Sequence, residues 1–107
     1  MGERIFVLYK FKEGVTREEY AKWLREEHYP WGRSLISQVN VRGFFVTGDY
    51  EQDADELEWD TIAIIDIDNR DTWYKDMQEN SDAAYHWKKW DDYVERYKMF
   101  FTEPIRA

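Results

Sequence analysis

Residues 16–35, TREEYAKWLREEHYPWGRSL, hold the side-chain types and spacing best suited to chemistry. His28 is the leading general acid–base candidate. Its ordinary pKa near ~6.5 changes its charge close to neutrality, and its neighbours at helical spacing are aromatic rather than charged. The plainer reading is a buried histidine bonded to a carbonyl. Tyr20 lies two turns earlier on the same face, and Tyr9 projects from the segment before it. Either phenol could donate to a substrate carbonyl or share a proton with the imidazole, although buried tyrosines are common in cores. Trp23, Trp31, Trp87 and Trp90 could wall a pocket for a planar ligand, or simply fill the interior. Asp66 shares a strand face with Ile62 and Ile64, a carboxylate entering an apolar layer. It would either orient His28 or, as the favoured reading, pair with a lysine or arginine. Arg33 and Arg42 offer forked donors for a substrate carboxylate, a geometry that surface arginines also have. His86, between Tyr85 and Trp87, falls at the edge of a second apolar face.

Several chemistries are poorly served. There are two histidines, no cysteine and no HxxxH or HxH spacing, so a metal site is not expected, nor any disulfide or thiolate nucleophile. A haem would need an axial ligand, for which His28 or His86 could serve. The five glycines are scattered and form no phosphate loop, so nucleotide and nicotinamide cofactors are not expected. The net charge is −8, and the nearest basic cluster, Lys88-Lys89, is surrounded by carboxylates, which argues against a nucleic-acid partner. No segment approaches the ~20 apolar residues that span a bilayer, and no secretory-type apolar run opens the sequence. The expectation is a soluble cytoplasmic protein with no membrane partner.

These residues need a scaffold, and 107 residues allow one domain, residues 1–107. Hydrophobic residues are 43% of the chain and aromatics 19%, with six Trp and eight Tyr, enough for a core that also lines a cavity. Residues 4–12 read as a strand with Ile5, Val7, Tyr9 and Phe11 on one side and Phe6 and Leu8 on the other. After the turn at Glu13-Gly14-Val15, Thr16 and Glu19 have capping-box spacing. Tyr20, Trp23, Leu24, Glu27, His28 and Trp31 then share a helical face. Pro30 disfavours helical geometry at Tyr29, so the helix is expected to end near His28, where its dipole would favour the imidazolium.

A second strand covers residues 39–47, with Gly43 marking a bulge or a close backbone approach. Residues 48–60 are strongly acidic and read as a solvated connection or lid. A third strand covers residues 61–68. Asp68 or Asn69 then caps a helical region over residues 70–96, broken at Asn80-Ser81-Asp82, with Ala83, Trp87, Trp90 and Val94 as the later apolar face. Residues 97–102 form the last strand.

The order strand, helix, strand, strand, helix, strand predicts an α+β ferredoxin-like βαββαβ plait: a four-stranded antiparallel sheet with helices on one face. The first and third strands are apolar on both sides, so the uncovered face predicts a homodimer whose sheets close into a dimeric α/β barrel.

The string Tyr20-x-x-Trp23-x-x-x-x-His28-x-Pro30 on the first helix of such a plait resembles the dimeric α/β-barrel superfamily, in which EthD-type proteins carry a similar Trp, His and Pro arrangement. The longer string YKFKEGVTREEYAKWLREEHYPWGRSL is similar to the RedY-like (HapK-like) proteins, found in pathways to prodigiosin-type pigments and bisindoles. The resemblance implies a homodimer with a pocket between sheet and helices, and conjugated intermediates steered through cyclisation, condensation or rearrangement without an evident cofactor. It also implies a proton-transfer role for His28. Two alternatives stand beside it: an oxygen-using, cofactor-free monooxygenase of the same superfamily, and a non-catalytic carrier that shields a labile intermediate.

Overall fold

Alternation along the first strand sets the plan of the molecule. The computed structural model describes residues 3–35, 37–51 and 57–105. In β1 (Glu3–Phe11), Ile5, Val7, Tyr9 and Phe11 are all buried, while Phe6 and Leu8 on the reverse are only partly covered. β1 pairs antiparallel with β3 (Thr61–Ile67) on one side and β4 (Val94–Thr102) on the other. β2 (Gln38–Phe45) closes the sheet in the order β2-β3-β1-β4. The expected α+β plait is therefore the observed one, with the helices gathered over the side that holds Ile5, Val7 and Tyr9.

The register places residues in rows across this inner face. Val41, Ile65, Ile5 and Phe101 form one row, Gly43, Ala63, Val7 and Met99 the next, and Phe45, Thr61, Tyr9 and Tyr97 a third. The middle row has almost no side chain at Gly43 and Ala63, so the rows flanking it stand taller and a hollow remains between them. Gly43 is the close-approach glycine expected from sequence: a Cβ there would lie 2.9 Å from the Tyr29 hydroxyl. The register shift in β2 falls elsewhere, between Gln38 and Asn40.

The first helical run starts as predicted. Gly14 makes the turn with φ +88°, a conformation costly for residues with a Cβ. Thr16 Oγ1 accepts the Glu19 N–H and the Glu19 carboxylate accepts the Thr16 N–H, opening α1 (Arg17–Trp23). The end of the run does not follow the expectation. Beyond α1 the chain continues through a π-helical turn, Leu24–His28, directly into α2 (Tyr29–Ser34). Tyr29 is helical, with φ −64° and ψ −42°. A proline in a regular helix lacks the N–H for the carbonyl four residues back and presses on it. Here the Tyr29 N–H reaches back five residues to the Leu24 carbonyl, and this wider turn takes the chain past Pro30.

The second helical region breaks where expected, into α3 (Arg70–Glu79) and α4 (Ala83–Tyr93). Asn69, rather than Asp68, is the cap: its Oδ1 accepts the Thr72 N–H at 2.8 Å. The Asp68 N–H instead donates to the Ser37 carbonyl. α4 stops earlier than expected. Val94 opposes Phe11 at the start of β4, so pairing with β1 takes residues 94–96 from the helix. Residues 52–56 of the acidic connection lie outside the described residues. At its end, the Asp60 carboxylate accepts the Phe11 N–H at 2.9 Å.

Replacing Gly43 by Ala should lower stability by about 1–3 kcal/mol through overpacking against Tyr29. Adding Tyr29→Phe to that variant should restore more than half of the loss. Urea midpoints of the four combinations test this; a Gly43→Ala cost that is the same with and without the hydroxyl would locate the strain elsewhere.

Candidate functional site

The hollow over the small-residue row opens into a cavity of about 460 Å³ between the sheet and the helices. Ile5, Val7, Ala63 and Ile65 form its floor. Leu24, His28 and Trp31 line one wall, and Trp73, Met77, His86, Trp87 and Trp90 come from α3 and α4. Among the described residues that line it there is no Asp, Glu, Lys or Arg. Its polar groups are imidazoles, phenols, indole N–H groups and Gln38.

At one end of the cavity four rings are arranged in series. Trp23 stacks on His28 with centroids 4.7 Å apart. His28 Nδ1 lies 3.3 Å from His86 Nδ1. His86 in turn stacks on Trp31, with centroids 4.3 Å apart and planes inclined by 13°. The π turn is what allows the first of these contacts. Five residues along a regular α-helix stand about 140° apart, whereas a turn closed by an i to i+5 bond returns residue 28 above residue 23. Trp31 is held from the other side, since its Nε1 donates to Asn80 Oδ1 at 2.9 Å, at the break between α3 and α4. Tyr85 adds a second tie between α4 and the first helical run by donating to Glu27 Oε1 at 3.0 Å.

Both imidazoles are biased toward the neutral form. Burial, and then the neighbouring His86, lower the His28 pKa from 6.5 to about 4. Burial also lowers the His86 pKa, with Asp82 and Glu27 pulling in the opposite direction. The expected helix-end stabilisation of an imidazolium is therefore overturned, because no helix ends at His28 and desolvation is the larger effect.

Tyr9 and Tyr20 form a separate group. Their hydroxyls lie 2.7 Å apart, and Trp90 Nε1 donates to Tyr20 Oη at 3.1 Å. Burial pushes both phenols well above the usual range. They are neutral groups bonded to one another and not to His28, so of the two roles open to them in sequence the proton shared with the imidazole is not the arrangement observed.

The other expected site residues divide between the cavity and the rest of the fold. Trp31, Trp87 and Trp90 line the cavity, whereas Trp23 lies behind His28 and supports it. Asp66 and Arg42 are not brought to it. They lie on the outer face of the sheet, where Asp66 accepts from Arg4 Nε at 2.6 Å and stands 3.9 Å from the Arg42 guanidinium. Alternation put Asp66 with Ile62 and Ile64; the structure turns that whole face away from the helices. Arg33 is exposed.

His86 was the residue sequence reasoning undervalued. It is only 6% exposed, and with Ala83 and Trp90 it completes the buried stripe of α4. The spacing 83, 86, 90 was the available signal. Among the described residues, no cluster of three or more His, Cys, Asp or Glu is placed to hold a metal ion, and no helix is long and apolar enough to cross a membrane.

A family model described as REDY-like protein HapK matches residues 3–105. No curated protein matches the chain. Among solved structures, HapK from Hahella chejuensis is 17% identical with a TM-score of 0.79, over 98% of this chain and 94% of that one. An EthD family protein from Bacillus halodurans C-125 is 12% identical with a TM-score of 0.73, over 98% and 100% of the two chains. A protein from Thermobifida fusca YX, described as dimeric and ferredoxin-like, is 15% identical with a TM-score of 0.66, over 95% and 90%. At these identities the likeness to each structure concerns the fold alone.

The depressed His28 pKa has a definite consequence for stability. Between pH 6.5 and about 4 the unfolded chain binds a proton at this ring that the folded chain does not. Stability should therefore fall as pH drops through that window, and this contribution levels off below it. Urea midpoints at both ends of the window should fall further for the wild type than for His28→Gln. Equal falls would mean that the ring titrates normally in the folded protein.

Proposed function

The chain belongs to the REDY-like HapK family, and from that premise we propose that it binds a flat, neutral aromatic intermediate of the bisindole or pyrrole type. In this reading it promotes cyclisation, condensation or rearrangement by moving a proton through His28, without a cofactor. The supporting observation is the cavity itself. Its walls are aromatic, two neutral imidazoles enter it, and none of its described lining residues carries a full charge. A carboxylate or phosphate moved there would lose hydration without gaining a counterion, so the composition of the walls selects neutral ligands.

The chemistry assigned to each residue follows from its surroundings. His28 is unprotonated near neutrality and can accept a proton from the ligand. Trp23, stacked behind it, restricts the ring's orientation. Trp31, Trp87 and Trp90 exclude water and hold a planar ligand over the small-residue row. The Tyr9–Tyr20 pair and the Tyr29 hydroxyl supply neutral donors for developing oxyanion charge.

The same reading includes a homodimer formed through the outer face of the sheet. There Phe44 is 51% and Phe100 48% exposed, and Phe6, Leu8, Ile62 and Ile64 are only partly covered. An apolar sheet face of this kind is stabilised by a second sheet. The double variant Phe44→Glu, Ile64→Glu should be a folded monomer by light scattering with unchanged circular dichroism. A dimer that survives both charges would place the interface elsewhere.

Binding tests the pocket. Titrating wild type and His28→Ala with bisindole and pyrrole compounds, followed by tryptophan fluorescence, should show quenching that weakens at least tenfold in the variant, about 1.4 kcal/mol. Equal quenching would make His28 structural and leave a carrier. The absence of quenching by any compound would remove the substrate class.

A further inference from the structure

His28 and His86 are 58 positions apart in sequence, yet among the described residues each ring makes its only side-chain hydrogen bond with the other, through Nδ1. A catalytic histidine ordinarily has one ring nitrogen fixed by a carboxylate or a backbone carbonyl, which selects a single tautomer. Among the described residues no such third group bonds either ring. The bracketing contacts are ring faces, Trp23 on His28 and Trp31 on His86, which set orientation without choosing where the protons reside.

Proton counting in a neutral pair joined in this way has one result. The ring that donates from Nδ1 has its single proton there, so its Nε2 is a bare lone pair. The ring that accepts at Nδ1 must carry its proton on Nε2. Both rings line the cavity. Resting on the proposed function above and deepening it, we propose that His28 and His86 act as one acid–base unit that carries out a prototropic shift on a neutral ligand.

The step balances without a further reagent. A ligand C–H or N–H bond breaks and its proton goes to the bare Nε2. The Nδ1 proton of that ring crosses to the Nδ1 of its partner. The partner's Nε2–H bond breaks, and its proton forms a new bond at a second ligand atom. The pair ends neutral with its tautomers exchanged, set for the reverse shift. Exchange of the Nε2 protons with water, with return of the shared Nδ1 proton, restores the first assignment before another forward turnover. His86 is therefore a second catalytic residue rather than packing. The neutral bias of both rings agrees with this, because each must offer a lone pair near neutrality. Glu27 and Asp82, whose charges favour a protonated His86, would ease the moment at which that ring holds two protons.

The test uses β-tetralone, a flat, neutral, enolisable ketone in which an α C–H is exchanged for an enol O–H. Its deuterium uptake from heavy water measures the shift, and fluorescence measures its binding. His86→Asn keeps an amide near the Nδ1 position to bond His28 but cannot relay a proton. This variant should bind β-tetralone within threefold of wild type and lose about 100-fold in deuterium uptake. In parallel, nitrogen NMR of protein carrying isotope-labelled histidine should show both rings neutral and averaged between two tautomers in the wild type. In His86→Asn, His28 should adopt one.

Undiminished uptake in His86→Asn, with uptake lost in His28→Asn, would overturn the pair and leave His28 acting alone. Two fixed, unexchanging tautomers in the wild type would overturn it equally. Failure of β-tetralone to bind would count against the pocket reading, whereas the nitrogen spectra by themselves uphold or overturn the shared proton.

Discussion

The Tyr29 N–H donates to the Leu24 carbonyl, five residues back instead of four, and this change of register carries the first helical run past Pro30. A regular helix would have stopped or kinked near His28. The wider turn continues it, sets His28 over Trp23, and lets Trp31 follow on the same run to stack against His86. Tyr29 itself extends toward the sheet, where only the missing Cβ of Gly43 leaves room for its hydroxyl. One backbone bond thus decides where His28, Tyr29 and Trp31 stand.

The space those rings face has a different cause. Sheets in small plaits are normally filled by the helices lying on them. In this sheet the row Gly43, Ala63, Val7, Met99 is low at two adjacent strands, while the helices above it carry indoles that stand off rather than descend. Polar ties keep that spacing: Trp31 to Asn80 and Tyr85 to Glu27 between the helical regions, and the Ser37 N–H, just before β2, to the Asp76 carboxylate of α3 at 2.9 Å. The cavity is the result of short side chains below and bridged aromatic ones above.

Electrostatics separate the two faces of the sheet. Arg4, Arg42 and Asp66 lie together on the outer face, at the edge of its apolar rows. The cavity on the inner face holds neutral hydrogen-bonding groups whose pKa values burial shifts away from ionisation: imidazoles downward, phenols upward. Such a cavity favours ligands and reactions in which little net charge is created, the condition under which two adjacent neutral imidazoles are most useful.

Local rules made much of this legible. Alternation in β1, the Thr16–Glu19 box, a cap at Asp68 or Asn69 and the break at Asn80 each depend on residues a few positions apart, so the plait could be read from the sequence. The same rules put His28 on an aromatic face. They failed where a distant partner decided the outcome. Pairing with β1 began β4 at Val94, and the covered side of the sheet was undecidable while β1 and β3 were apolar on both, so Asp66 and Arg42 could not be assigned. Periodicity gave Tyr9 and Tyr20 but not their mutual bond. It also placed His86 at the edge of a helix face without showing that His28 lay 3.3 Å away. By itself the sequence determined which elements form and what each presents; the tertiary structure alone decided which of those side chains meet. Secondary structure is governed by contacts within a turn or a strand, whereas the site is made by side chains brought together from across the chain.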